Sequence, residues 1–264
     1  MTDQVLIDRS QGVLTLTLNR PEKKNALNDG MYAALGAAIE GADDDRSIGC
    51  ILIQANGDMF CSGRDVSELG AAPAAGASAS TQPPRFGSPL VHALARSGKP
   101  VVAAVNGRAV GVGATMLLHC DLVYLADDAS LTTPFANLAL TPEAASSLLL
   151  TARIGHARAF SMFVLGETVD APTALAWGLA NAVVSPAELH ARARAAAVAV
   201  AAKPPGAVAA TKRLMRDVEA ITARIQEEGV HFTAQLRSAE SKEAMAAFRE
   251  KRKPDFSPSA LGVS

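Results

Sequence analysis

Apolar and polar side chains alternate along Val13-Leu14-Thr15-Leu16-Thr17-Leu18, the period of an extended chain with one covered face, and predict a half-buried strand. Asn28 is placed to cap a helix over about Asp29 to Ala42. The unbroken run Cys50-Ile51-Leu52-Ile53 then predicts a strand covered on both faces. Short apolar runs at Val101–Val105 and Leu122–Leu125 add strands, and helix-like segments fall near 89–97, 113–119, 142–152 and 155–164. The chain is therefore of the α/β class, and the alternation taken alone is that of a doubly wound sheet.

The pattern changes after Lys203-Pro204-Pro205-Gly206. Leu214, Val218, Ile221, Ile225, Phe232 and Leu236 recur at near-helical spacing and predict a helical tail with one apolar stripe. Two regions follow, 1–203 and 204–264. Between Gly70 and Pro89 few large apolar groups offset the entropy of ordering, so that segment is either a slack connector or an element closing over a ligand.

Composition narrows the function classes. A chain of 264 residues with a net charge of -1 is large enough for a sizeable core and lacks the basic excess of a general nucleic-acid or anionic-membrane binder. The first residues carry no basic-plus-apolar leader, and no apolar run approaches the roughly 20 residues that span a bilayer, so a cytoplasmic location is expected. Cys50, Cys61 and Cys120 make no paired motif and read as reduced, buried thiols. His92, His119, His156, His190 and His231 are scattered without ligand spacing, so neither a metal nor a catalytic histidine is expected.

Two glycine-punctuated turns carry the chemistry. Phe60-Cys61-Ser62-Gly63-Arg64-Asp65 and Asn106-Gly107-Arg108-Ala109-Val110-Gly111-Val112-Gly113 each follow an apolar strand-like run, and the second opens into a helix. Turns of this kind can aim two backbone N–H groups, aided by a helix N-terminus, at one developing oxyanion. A dinucleotide fingerprint is excluded, because Met116 stands where the third glycine would be and no acidic residue follows at the required distance.

With Asn19-Arg20-Pro21-Glu22-Lys23-Lys24-Asn25-Ala26-Leu27-Asn28, the Phe60–Leu69 turn, Asn106–Asp121 and Glu243–Phe256 in this order, the chain resembles the crotonase, or enoyl-CoA hydratase/isomerase, superfamily. The resemblance implies a spiral of repeated ββα units followed by a helical C-terminal region that serves in oligomerisation and as a lid. It implies an acyl-CoA thioester as substrate, with coenzyme A as part of that substrate and no other cofactor, and a homotrimer or dimer of trimers. It places the oxyanion donors at the backbone N–H groups of Arg64 and Val112, the latter where relatives often have glycine. It also implies substrate or coenzyme A contacts at Ala26, Ser62, Gly63, Asp65, Val66, Gly111 and Phe135, and at Phe248 and Lys251 for the adenine and phosphates.

The resemblance also assigns the base. Hydratases of the superfamily use two glutamates, and the matching positions here are Thr115 and Phe135, which disfavours that paired-carboxylate route. The segment from Thr133-Pro134-Phe135-Ala136-Asn137-Leu138 to Pro142-Glu143 is similar to the peroxisomal branch of Δ3,Δ2-enoyl-CoA isomerases, which implies Glu143 as a lone proton shuttle. Apolar neighbours Phe135, Leu138 and Leu140 would raise its pKa. A structural role for Glu143 stays open: Thr141 as helix cap, Pro142 at the first position and Glu143 in the first turn, facing the dipole. Asp65 reads as a turn-stabilising group, and Thr115 as a hydroxyl able to position a water. The expected activity is a 3-enoyl-CoA to 2-enoyl-CoA isomerase; the alternatives are a hydratase or another acyl-CoA hydrolase or lyase, and a non-catalytic acyl-CoA-binding oligomer.

Overall fold

A computed structural model describes residues 3–65 and 86–261. Val66 and most of the 70–89 segment lie outside the described residues. The first hairpin, β1 (Val5–Ser10) and β2 (Val13–Leu18), turns through Gln11 and Gly12, both at positive φ, which gives the sharp reversal two strands need. The helix α1 (Asp29–Asp44) starts where Asn28 accepts from the Met31 N–H, and β3 (Cys50–Ala55) lies parallel to β2.

The described chain continues with α2 (Pro89–Arg96), β4 (Val101–Val105), β5 (Arg108–Val110) and α3 (Val112–Thr115), then β6 (Leu122–Ala126) and β7 (Ser130–Thr132). Next come α4 (Ser146–Ile154), α5 (His156–Phe160), β8 (Thr168–Asp170), α6 (Ala171–Ala176) and β9 (Ala182–Val184). Helices α7 (Pro186–Ala201), α8 (Pro205–Met215), α9 (Val218–Leu236), α10 (Ala239–Glu250) and α11 (Pro258–Leu261) close the order.

Six strands form one sheet in the order β1-β2-β3-β4-β6-β9, and β5-β7-β8 form a second. Each early pass of the chain lays one strand in the large sheet, makes one short pairing in the small one, and then turns into a helix. The short pairings are the bridges Leu27 to Arg64 and Cys61 to Ala109, followed by β5 with β7. This is the ββα spiral. A doubly wound sheet would put all its strands in one layer, and the paired second layer distinguishes the two.

Several local expectations change in the folded chain. Strand β2 is buried on both faces, not half-buried, because α7 covers the polar side, where its Arg194 donates to the Thr15 hydroxyl at 3.0 Å, and Gln54 of the neighbouring β3 donates to Thr17 at 3.1 Å. The helical run after Gly111 is short, with α3 passing into a tighter 3-10 turn over Met116–His119. The run near 155–164 divides into α5 and a π turn over Ser161–Leu165. In the tail, Ile221 and Ile225 enter the core, whereas Leu214 is 88% exposed and falls outside the buried stripe. All three cysteines are buried free thiols, each pushed up to about 12 by burial.

The motif around Asn25 shows how local sequence fixes the position of a distant turn. Asn25 is fully buried in the left-handed region at φ 52°, a conformation Asn tolerates better than most residues. Its side chain accepts from the Arg20 N–H at 2.8 Å and donates to the carbonyls of Asn56 at 2.9 Å and Met59 at 2.7 Å. It thereby pins the strand end that leads into Phe60. Replacing it removes three buried bonds, leaves carbonyls unmatched and strains the backbone; Asn25→Ala is expected to lower unfolding free energy by about 2–4 kcal/mol in a urea titration.

Candidate active site

The two glycine turns meet. Cys61 donates to the Arg108 carbonyl at 3.2 Å and Val110 to the Cys61 carbonyl at 2.9 Å, which draws residues 61–64 alongside residues 108–112. Gly111 takes φ 54° and ψ −122°, open to glycine and strained for other residues, so the unusual backbone falls there and Val112 keeps helical geometry. Gly113 is required for another reason. A Cβ there would lie 2.7 Å from the Cys61 carbonyl oxygen, so only glycine lets the turns approach this closely.

Among the described residues, no group accepts a hydrogen bond from the backbone N–H of Arg64 or of Val112. Both residues line one cavity of about 550 Å³, and so does Glu143. Tyr32, Phe86, Phe135 and Phe232 supply aromatic walls, and Leu138, Leu140 and Ile225 add aliphatic ones. The Phe135 and Phe163 rings are 6.0 Å apart, which extends the apolar wall behind the cavity.

Glu143 does not sit in the first turn of a helix. Helix α4 begins only at Ser146, after Ala144 and Ala145 have both taken left-handed conformations, and the buried Thr141 hydroxyl has no hydrogen-bond partner among the described residues. The capping role for Thr141 and the dipole role for Glu143 are therefore overturned. The Thr115 hydroxyl instead donates to Glu143 Oε1 at 2.6 Å, so this threonine orients the carboxylate where a water-positioning role is expected from sequence.

Glu143 retains some accessible surface, yet protein atoms crowd it on all sides, so its opening is to the cavity. Burial is the main cause that raises its pKa to about 7; the Thr115 bond lowers it, Glu228 raises it and Arg64 lowers it. A carboxyl tuned to neutrality can both take and return a proton. Tyr32, pushed well above 10 chiefly by burial, stays a neutral phenol in the same cavity.

The other sequence-derived positions fall around this centre. Asp65 pairs with Arg20 at 2.7 Å, which agrees with a turn-stabilising role. Ser62 donates its N–H to the Lys24 carbonyl, and Leu27 donates to the Gly63 carbonyl, so the segment around Ala26 and the first turn are joined. Phe135 lines the cavity, and Val66 lies outside the described residues. Phe248 is 61% exposed on α10, and Lys251 follows that helix at φ 56°; neither lines the cavity. Among the described residues no group of three acidic, His or Cys side chains could hold a metal.

Sequence reasoning missed the walls contributed from far along the chain. The Arg64 guanidinium lies 5.2 Å from the Tyr32 ring centroid and pairs with Asp29 at 2.7 Å. Ile225, Gly229, Phe232 and Thr233 of α9 close another side. The helical period of α9 was a usable signal for a buried face, but nothing in it told which cavity that face would complete.

In this ββα spiral, two amide groups with no acceptor among the described residues share a cavity with the Glu143 carboxyl. The enoyl-CoA hydratase/isomerase family description matches residues 8–259, and the chain belongs to that family, within the crotonase superfamily. The 1,2-epoxyphenylacetyl-CoA isomerase of Escherichia coli strain K12 is 36% identical over 97% of this chain and 99% of its own length. The 2,3-dehydroadipyl-CoA hydratase of the same strain is 33% identical over 96% and 98%. Among solved structures, an enoyl-CoA hydratase/isomerase from Pseudoalteromonas atlantica T6c is 40% identical, covers 97% of this chain and 100% of its own, and superposes with a TM-score of 0.89. No described helix is long and apolar enough to cross a membrane.

The hydroxyl of Thr115 stabilises the ionised form of Glu143, so removing it must raise the pKa. Thr115→Val is expected to move the Glu143 titration midpoint above about 7, read by carboxyl carbon NMR with Glu143→Gln as the assignment control. The stability sign follows from the same shift. Between the ordinary 4.5 and about 7 the folded chain holds a proton that the unfolded chain has released, so this group's contribution is complete below 4.5 and is lost as pH rises through 7.

Proposed function

We propose that the chain is an acyl-CoA isomerase that moves a double bond from the 3- to the 2-position. The observation that carries this reading is a single glutamate, Glu143, among the described cavity residues, with threonine and phenylalanine at the positions of the hydratase glutamates; the other lining carboxyl, Asp29, is paired with the Arg64 guanidinium at 2.7 Å. The Glu143 carboxylate takes a proton from C2, and the electron pair spreads through C1 onto the thioester oxygen, which the Arg64 and Val112 N–H groups hold. The resulting dienolate then takes the proton back at C4. The C3–C4 double bond becomes single, a C2–C3 double bond forms, and the carbonyl is restored, with no water consumed. A hydratase needs a second group to manage water, and Thr115 is already committed to Glu143.

The aromatic walls favour a second reading of the substrate. Tyr32, Phe86, Phe135 and Phe232 suit an acyl group that carries a ring, and the similarity to the 1,2-epoxyphenylacetyl-CoA isomerase supports a ring-bearing thioester as the isomerised compound. Under either substrate, the exposed Phe248 of α10 and Lys251 just after it are assigned to the coenzyme A nucleotide in a homotrimer or dimer of trimers, with residues 204–264 at the subunit contacts. In that assembly the exposed ring and ammonium can reach a neighbour's site.

The test is a panel of 3-enoyl, 2-enoyl, 3-hydroxyacyl and 1,2-epoxyphenylacetyl thioesters of coenzyme A, assayed with wild type and Glu143→Gln. Consumption of the 3-enoyl substrate with appearance of the 2-enoyl product is expected, and the substitution should lower kcat by about a thousandfold or more while KM changes little. Wild-type turnover by a folded Glu143→Gln protein rejects the lone-base mechanism. Water addition to the 2-enoyl compound as the sole activity rejects the isomerase.

A further inference from the structure

The turn that carries Glu143 does not hold itself. Ala144 and Ala145 lie consecutively in the left-handed region, at φ 61° and 55°, which a Cβ disfavours, and α4 begins after them with no cap from its own side chains. Remote groups supply what is missing. Glu228 of α9, itself buried, accepts from the Ala145 N–H at 2.6 Å through Oε2 and from the Ser147 N–H at 2.9 Å through Oε1. On the opposite side the Ala144 carbonyl meets His119 Nε2 at 2.8 Å. Arg216 donates to His119 Nδ1 at 2.6 Å, which leaves the proton on Nε2 and makes His119 the donor to Ala144.

Resting on the reading of Glu143 as the base, we propose that Glu228 is a positioning residue: it locks the Ala144–Ala145 turn so that the Glu143 carboxylate stays in the cavity, and its charge acts on that carboxylate from behind. Burial raises the pKa of Glu228, and against it both oxygens accept from backbone donors and Arg224 lies nearby, which favour the ionised carboxylate capping a helix from another element. Its charge therefore opposes ionisation of Glu143, in the same direction as burial. The groups that face Glu143 are Arg64 and Tyr32 across the cavity, Thr115 through its hydroxyl, and Glu228 from α9. Glu228 in turn is faced by Arg224 on its own helix, and the adjacent His119 is neutral, its pKa pushed down to about 3 by burial and Arg216. The carboxylate thus has a geometric and an electrostatic role, and the two separate by substitution.

Glu228→Gln removes the charge and leaves one backbone donor without an acceptor; Glu228→Asp keeps the charge with shorter reach. In Glu228→Gln the Glu143 midpoint, followed by carboxyl carbon NMR, is expected to fall by about half a pH unit or more. Its kcat should fall about tenfold or more, with affinity for the saturated thioester butyryl-CoA held within about threefold. In Glu228→Asp the midpoint should stay near its wild-type value while kcat falls. An unmoved midpoint in a folded Glu228→Gln protein overturns the proposal, as does wild-type kcat in a folded Glu228→Asp protein. Should neither variant fold, amide exchange in the wild type decides: the Ala145 and Ser147 protons must be protected, and exchange at the rate of an exposed loop overturns it. The titration and exchange readouts do not depend on turnover, so they remain informative if Glu143→Gln shows that another group is the base.

Discussion

Backbone pairing between residues 61–64 and residues 108–112 is the contact from which the site is built, because it places two amide donors on one side of a cavity without using a side chain for the purpose. Its tolerance is narrow. Gly113 leaves no room for a methyl group against the Cys61 carbonyl, and Gly111 absorbs a backbone geometry that would strain any other residue. Once these turns are together, the identity of the donating residues matters little, and the valine at the second donor position is accommodated at ordinary helical geometry. Its side chain instead becomes part of the cavity wall.

The Glu143 carboxyl in the same cavity depends on the rest of the chain. Thr115 comes from the helix that the second glycine turn opens, so one segment supplies both the Val112 amide at the cavity and the hydroxyl that binds the Glu143 carboxylate. The turn after Glu143 is held from the tail, through Glu228 and through Arg216 by way of His119. Helix α9 packs against both α2 and α4 and adds Ile225, Gly229 and Phe232 to the cavity. Gly229 permits this closeness, since a Cβ there would fall 2.0 Å from the Phe86 Cβ. Helix α9 is in this sense part of the cavity wall within a single chain.

The elements most legible in sequence were those with strong periodicity or strong turn chemistry. The β2 and β3 runs, the Asn28 cap of α1 and both glycine turns fall where their patterns place them. The errors have physical causes. Strand β2 alternates Thr with Leu, which reads as one wet face, but α7 brings Arg194 to satisfy a hydroxyl and permits full burial. Thr141-Pro142-Glu143 has the composition of a helix start, yet two alanines adopt left-handed conformations because groups from α9 and the Met116–His119 turn outbid local preference.

The amino-acid order alone determined the α/β class, the ordered motifs of the superfamily, the pair of donor turns and the reduction of the acid inventory to one glutamate, since each depends on neighbours within a few residues. Tertiary structure decided that Glu143 shares a cavity with Arg64 and Val112, that Thr115 donates to it, that burial lifts its pKa to about 7, and that Glu228 holds the turn that follows it. Desolvation and capping by a remote helix are properties of what surrounds a group in space, and no local pattern records which distant side chain will arrive there.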